Sequence, residues 1–235
     1  MTRVNTNTIN SSPRVSHLRQ MDIFNPDSFH QICHIVGVGA VGSRLAESLA
    51  RLGIKSLELY DKDIVREHNI PTGSFLHYQI QRHKVEAVAE QLSFFSETKV
   101  STHRQMVEET IRFCGVVFLC VDTMKARREV WEKSIRGNPS VSLMIEIRIG
   151  PRQGIIYTVN PLDLKEIECW EGVSAYADGY NEQLPCTLRA VITTVNVAVG
   201  LAVDQLIKWH SHEWLANSIV FGLQNEAVLR AERWT

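Results

Sequence analysis

Gly37, Gly39 and Gly42 form a G-x-G-x-x-G run between the apolar stretch 31–36 and a segment with helical spacing. Glycines at these spacings permit a tight turn and a close backbone approach to phosphate, and a helix N-terminus directly behind them favours an anion. Asp61 ends the next strand-like segment about twenty residues after the last glycine, where a ribose-binding acid belongs in a nucleotide-binding βαβ unit. The glycines alone describe only a tight turn; with the flanking elements and the spaced acid they read as a nucleotide site. The residues beyond Asp61 narrow the choice of nucleotide. Lys62, Asp63 and Asn69 come next, then Lys84 in a later helix, Asp122 at a strand end and Arg127 five positions on. A lysine, an asparagine and several acids near strand ends suit a triphosphate with Mg²⁺, which takes one or two carboxylates plus substrate phosphates. An NAD(P)-dependent oxidoreductase would use the same glycine loop but leave Asn69, Lys84 and Asp122 without roles.

The elements that must position these residues alternate. Strands are predicted at 31–36, 56–61 and 115–121, mostly as apolar runs, and helices at 40–52, 78–95 and 123–135. Gly53 closes the first helix as a C-cap, and Asn25-Pro26 offers an N-cap and first-turn proline for a short helical turn. Apolar strands alternating with helices predict an α/β, Rossmann-like, mostly parallel sheet with helices on both faces. From residue 140 the texture changes. Segments 140–149 and 154–159 read as a hairpin around Gly150-Pro151, 160–185 as a long polar loop, 186–210 as a last helix and 218–223 as a closing strand. The C-terminal third is therefore expected to be irregular and partly antiparallel. Residues 1–28 read as an extended arm and 29–235 as a single domain.

Composition excludes several classes. The chain has 235 residues, 44% of them hydrophobic and 22% charged, which places it among ordinary globular proteins. Its net charge of −1 argues against non-specific nucleic-acid binding. The uncharged run 190–203 falls short of the roughly 18 residues that suggest a membrane span. An odd number of cysteines without C-x-x-C spacing, and a polar N-terminus without an apolar signal region, read as a cytoplasmic protein free of structural disulfides. Cys33, Cys114 and Cys120 are expected to be small core hydrophobes, with Cys169 in the polar loop.

Several motifs together resemble the ThiF/HesA/MoeB group of the ubiquitin-activating enzyme superfamily. They are the glycine loop VGVGAVGS, the stretch DKDIVREHN, Lys84 in RHKVEA, and Asp122 with Arg127 in CVDTMKAR. Arg19-Gln20 is similar to the Arg-Gln that opens many members. The resemblance covers residues 17–136 well and extends weakly to about 210. It implies an ATP-dependent adenylyltransferase that activates the C-terminal carboxylate of a small ubiquitin-like or sulfur-carrier protein, or of a peptide, and releases pyrophosphate. It implies that Asp61 binds the ribose, that Asn69 and Lys84 bind the phosphates, and that Asp122 binds Mg²⁺. Asp63 and Arg127 join the nucleotide-binding set with Gly37, Gly39 and Gly42, while Lys84, Asp122 and Arg19 carry catalysis. A homodimer is also implied, with Arg19 reaching the neighbouring subunit's phosphates.

Two departures qualify the resemblance. Family members commonly carry an arginine three residues after the asparagine, and here that position is Thr72. Arg66, Arg82 or an arm arginine are the candidates to compensate; a non-catalytic nucleotide-binding module is the alternative. The paired C-x-x-C motifs of many members are absent, so no structural zinc is expected. Cys186, at the start of the last predicted helix, occupies a place where some relatives carry an acceptor cysteine. The expectation for it here is packing rather than covalent chemistry.

Overall fold

The computed structural model describes residues 15–105, 110–176 and 190–234. They build one eight-stranded sheet in the order β3-β2-β1-β4-β5-β6-β7-β8. The strands are β1 (Cys33–Val36), β2 (Ser56–Tyr60), β3 (Lys99–His103), β4 (Gly115–Leu119), β5 (Val141–Ile149), β6 (Gln153–Val159), β7 (Ser218–Gly222) and β8 (Val228–Glu232). The first five are parallel, and β6, β7 and β8 each run antiparallel to their predecessor. The mixed, mostly parallel sheet agrees with the sequence reading, including the switch to antiparallel pairing after residue 140.

Both faces are covered, which is why the central strands carry apolar residues at consecutive positions. Helices α1 (Ala40–Leu52), α2 (Lys84–Ser93) and α5 (Ile192–His210) pack on one face, where Ile35, Leu57 and Phe118 meet Leu45, Val88 and Val199. On the other face α3 (Met124–Val130), its single-turn π continuation Trp131–Ile135, and α4 (Leu164–Tyr176) cover Val36, Val117, Leu119 and Met144. Among the described residues no helix is long and apolar enough to cross a membrane.

The structure departs from the expected elements in four places. Helix α2 starts at Lys84 rather than at 78, because a 3-10 turn at His77–Gln79 and Gln81 at φ 73° break the chain first. Strands β3 and β8 were not expected; both are sheet edges with little buried surface, so neither has an apolar pattern to find. The first half of the supposed polar loop is α4, opened by Asp163, whose carboxylate accepts from Lys165 N and Glu166 N. Cys169 therefore sits on a helix. The remainder of that loop, to residue 185, and Cys186 at the expected start of the last helix lie outside the described residues.

The described part of the expected arm is folded back on the body. Residues Leu18–Gln20 make a 3-10 turn, Gln20 donates to Leu52 O at 2.7 Å, and Phe24 and Phe29 are buried in the core. Asn25 opens the short turn at 25–28 as its N-cap position predicts, accepting from Asp27 N.

Candidate nucleotide site

The site gathers at the carboxyl ends of β1, β2 and β4, the edge where the parallel strands hand over to helices and where such sheets bind ligands. A cavity of about 330 Å³ is lined there by Gly37, Gly39, Asp61, Asp63, Lys84 and Asp122. Sequence reasoning named all six. Two of the glycines act sterically. Gly37 sits at φ 91°, and a Cβ on it would press within 2.9 Å of the Cys120–Val121 backbone, so only glycine lets β1 turn beside β4. Gly42 does not line the cavity: a Cβ there would lie 1.9 Å from Gly37 O, and its absence lets α1 seat against the turn. Nothing lies within 4 Å of a Cβ on Gly39, which leaves its backbone open to a ligand.

Asp61 is fixed before any ligand arrives. Its two oxygens accept from Val38 N and Asp63 N, each at 2.8 Å, which ties the end of β2 to the glycine turn. Lys84, at the first turn of α2, places Nζ 2.9 Å from Asp63 Oδ2 and 3.9 Å from Asp61 Oδ2. Burial pushes the Asp61 carboxyl above its ordinary value; the Lys84 charge and the two backbone donors only partly offset this. The result is a buried carboxylate beside a buried ammonium, with the more exposed Asp63 as the lysine's present partner. Such a lysine is electrostatically ready to exchange a carboxylate for a phosphate oxygen.

Other expected site residues are placed differently. Asp122 is exposed at the end of β4, on the cavity wall, where one carboxylate could hold a metal that also takes phosphate oxygens. Among the described residues no group of three or more His, Cys, Asp or Glu is arranged to hold a metal without a ligand's help. Asn69 lines a second cavity, of about 340 Å³, that shares Lys62, Asp63 and Lys84 with the first. Arg127 faces inward: its guanidinium bonds Leu119 O and Val121 O and pairs with Glu146 at 2.8 Å. It shapes the strand end that presents Asp122 and lines neither cavity. Arg19 is exposed in the 3-10 turn docked at the far end of α1. The 13 residues of α1 put it about 20 Å from the glycine turn of its own chain.

Sequence reasoning missed the support beneath Asp122. Glu146, wholly buried on β5, meets Arg127 on one side and Arg148 at 2.6 Å on the other, and accepts from Trp170 Nε1 of α4 at 2.6 Å. The two guanidinium charges overcome burial and hold its carboxyl below the ordinary value. A polar residue alternating with apolar ones along β5 reads as solvent-facing, so only the tertiary fold reveals the pair. Gln105 and Lys125 on the cavity wall were missed as well. Of the cysteines, Cys33 is buried as expected, and burial pushes Cys120, on the cavity wall, up to about 12, so its thiol is no nucleophile. Cys114 departs from the core reading: it is exposed, with Sγ 3.8 Å from His34 Nε2.

Comparison with known proteins places this geometry. The ThiF family profile matches residues 19–227. Ubiquitin-like modifier-activating enzyme 5 of Drosophila virilis is 30% identical over 152 residues, covering 54% of this chain and 38% of the relative. The Drosophila grimshawi enzyme of the same name is 32% identical over the same span, with the same coverage. This chain thus spans under two fifths of the length of those relatives. The fold matches E. coli MccB, solved with ATP, at a TM-score of 0.71 and 16% identity, covering 89% of this chain and 65% of that one. It matches PaaA at a TM-score of 0.67 and 15% identity, over 88% and 74%. A profile match that runs from Arg19 past the last helix and through β7, on a sheet with this strand order and this glycine turn, makes the chain a member of the ThiF family.

Proposed function

We propose that the chain is an ATP-dependent adenylyltransferase that activates the C-terminal carboxylate of a small ubiquitin-like or sulfur-carrier protein, or of a peptide, and releases pyrophosphate. The observation that carries this reading is the arrangement of Asp61, Lys84 and Asp122 around one cavity beside an open glycine turn. Asp61, with both oxygens anchored, is an acceptor for ribose hydroxyls. Lys84, released from Asp63, supplies positive charge where a carboxylate attacks an α-phosphate, a step that joins two anions and depends on positioning and charge more than on covalent help. Asp122 is the residue placed to hold Mg²⁺, which would neutralise phosphate charge and orient the leaving group.

In this reading Arg19 works in a homodimer. It is exposed, lies about 20 Å from its own glycine turn along α1, and so serves a nucleotide only in a neighbouring subunit's site. Residues 29–235 act as a single adenylating domain, with the acceptor supplied from outside the chain.

The test is calorimetry with ATP·Mg²⁺ and with NAD⁺, followed by pyrophosphate exchange into ATP in the presence of candidate acceptor peptides and proteins. ATP binding without NAD⁺ binding, and acceptor-dependent exchange, are expected. Tight NAD⁺ binding with no ATP signal would end the adenylation reading.

A further inference from the structure

A polar cluster runs across the start of β4, β1 and β2, and the adenylation reading gives it no role. Among the described cysteines Cys114 is the exposed one; Cys33 is buried, and Cys120 and Cys169 are partly so. Its backbone is pinned. Gly115 follows at φ 79°, and a Cβ there would lie 2.6 Å from Ile32 O, so the chain needs a glycine to turn onto β4 beside β1. Gly115 N donates to Ser140 O at 2.8 Å and Val116 N to Ile32 O at 2.9 Å. Cys114 is thereby held against His34, which is 3% exposed: His34 Nε2 lies 3.3 Å from Cys114 N and 3.8 Å from Cys114 Sγ. The fold sets a surface thiol against a buried imidazole.

The bonding pattern fixes the imidazole tautomer. A backbone N–H can only donate, so His34 Nε2, which accepts from Cys114 N, carries no proton. Nδ1 then bears the proton and donates to Tyr60 Oη at 3.1 Å. Burial holds His34 below its ordinary value, so at neutral pH the ring is uncharged and Nε2 can take a proton. The charged groups around it act in both directions. Glu58, directly across on β2, favours the imidazolium; His103, 2.5 Å from Glu58 and stacked on the Tyr60 ring at 4.4 Å, opposes it. A nucleophile beside a base whose other nitrogen is held by a third group is the arrangement that activates thiols, and its bonds are often loose before a substrate arrives.

We propose that Cys114 is a reactive thiol that forms mixed disulfides with small-molecule disulfides, with His34 as its base and Tyr60 as the residue that orients the base. His34 Nε2 takes the thiol proton, and the thiolate attacks one sulfur of the incoming disulfide. That S–S bond breaks as the new one forms, and the departing thiolate recovers the proton from His34. One thiol and one disulfide enter, and one mixed disulfide and one thiol leave. Arg112, exposed two residues earlier, adds a positive charge that suits an anionic disulfide such as that of glutathione. The site is separate from the nucleotide cavity. Cys120, on that cavity's wall, lies at the far end of β4, about 20 Å away at the rise of a strand. Cys114 therefore does not reach an adenylate formed there, and its reactivity stands or falls independently of the adenylation reading.

The test exposes the full chain to glutathione disulfide at neutral pH and follows adducts by intact mass and peptide mapping, with N-acetylcysteine as the reference thiol. A free cysteine is only a few per cent thiolate at neutral pH, so a base beside it raises the exchange rate about tenfold once the lower nucleophilicity of a more acidic thiol is counted. Cys114 should be modified first, at about that multiple of the reference rate, and Cys114→Ser should lose this first adduct. His34→Gln can still accept from Cys114 N but is no base, and should fall to the reference rate. Tyr60→Phe keeps the ring stack on His103, removes a single hydroxyl and should slow the exchange severalfold; it decides the question if His34→Gln does not fold. First modification at another cysteine, or a Cys114 rate no higher than that of N-acetylcysteine, would overturn the proposal. So would the wild-type rate in folded His34→Gln or in Tyr60→Phe.

Discussion

Glu146→Gln removes one charge and little else. The glutamine keeps the size of the side chain and can still accept from Trp170 Nε1, but it leaves Arg127 and Arg148, with side chains 7% and 13% exposed, without their carboxylate. Breaking a buried pair by removing one partner typically costs about 3–5 kcal/mol. Two cations share this single acid, so the upper part of that range is expected. For a domain of this size the cost corresponds to a drop of roughly 10 °C in Tm. Urea unfolding followed by tryptophan fluorescence reads it directly, since Trp131 and Trp170 lie 4.5 Å apart beside the pair. Asp122→Ala is the control: it is exposed and should leave stability within about 0.5 kcal/mol of wild type. The pH dependence has a definite sign. In the folded state the two guanidinium groups hold the Glu146 carboxyl below 4.5, its ordinary value. Its contribution is complete above that value and is lost as pH falls through the lowered folded one. The stability gap between wild type and Glu146→Gln should therefore shrink on acidification. A variant within about 1 kcal/mol of wild type at neutral pH would refute the argument that this carboxylate organises the turn beneath Asp122.

Asp61 should behave with opposite sign. Burial raises its pKa above 3.8, so the folded state keeps a proton that the unfolded chain has released. Wild type should lose stability relative to Asp61→Asn as pH rises from 3.8 through the folded value, and a flat difference would contradict the burial argument. Lys84→Ala and Asp122→Ala should each abolish acceptor-dependent pyrophosphate exchange; full activity in either removes that residue from the mechanism. Mixing Arg19→Ala with Lys84→Ala protein should restore exchange, because a mixed dimer has one doubly damaged site and one intact site if Arg19 acts across subunits. Absence of recovery despite demonstrated subunit exchange would exclude the trans assignment.

How much of this molecule is legible in its sequence depends on the range of the interactions involved. Gly37, Gly42 and Asp61 are readable because their constraints are local: a turn, a helix start and a strand end within one βαβ unit. That local pattern was enough to name Gly37, Gly39 and Asp61 on the first cavity, whereas Lys84 and Asp122, farther along the chain, were reached through the longer set of motifs. Arg127 shows the limit. It was expected among the nucleotide-binding residues, but whether its guanidinium turns toward the cavity or under the strand depends on Glu146, which lies on another strand and reads as a surface acid. Helix α4 was hidden by Glu166, Glu168 and Glu171 on its exposed side, although Ile167, Trp170 and Ser174 keep helical spacing toward the core. Edge strands β3 and β8 bury so little that their sequences carry no periodic signal, and they exist because β2 and β7 offer unpaired edges.

The position of β1 at the middle of the sheet also sets the order of assembly. Cys33–Val36 pairs with β2 on one side and with β4 on the other, and the second pairing must close a loop of about 80 residues. Parallel pairings of that separation are slow to form. The first cavity is bounded by the turn after β1 and the end of β4, so it does not exist until that closure is complete. A ligand of this cavity therefore binds the finished domain and not its earlier intermediates, and it shifts the folding equilibrium by mass action toward the native chain. That shift grows only as RT ln(1 + [L]/Kd), so a ligand of this cavity would raise the stability of the finished domain without speeding the closure that creates its site.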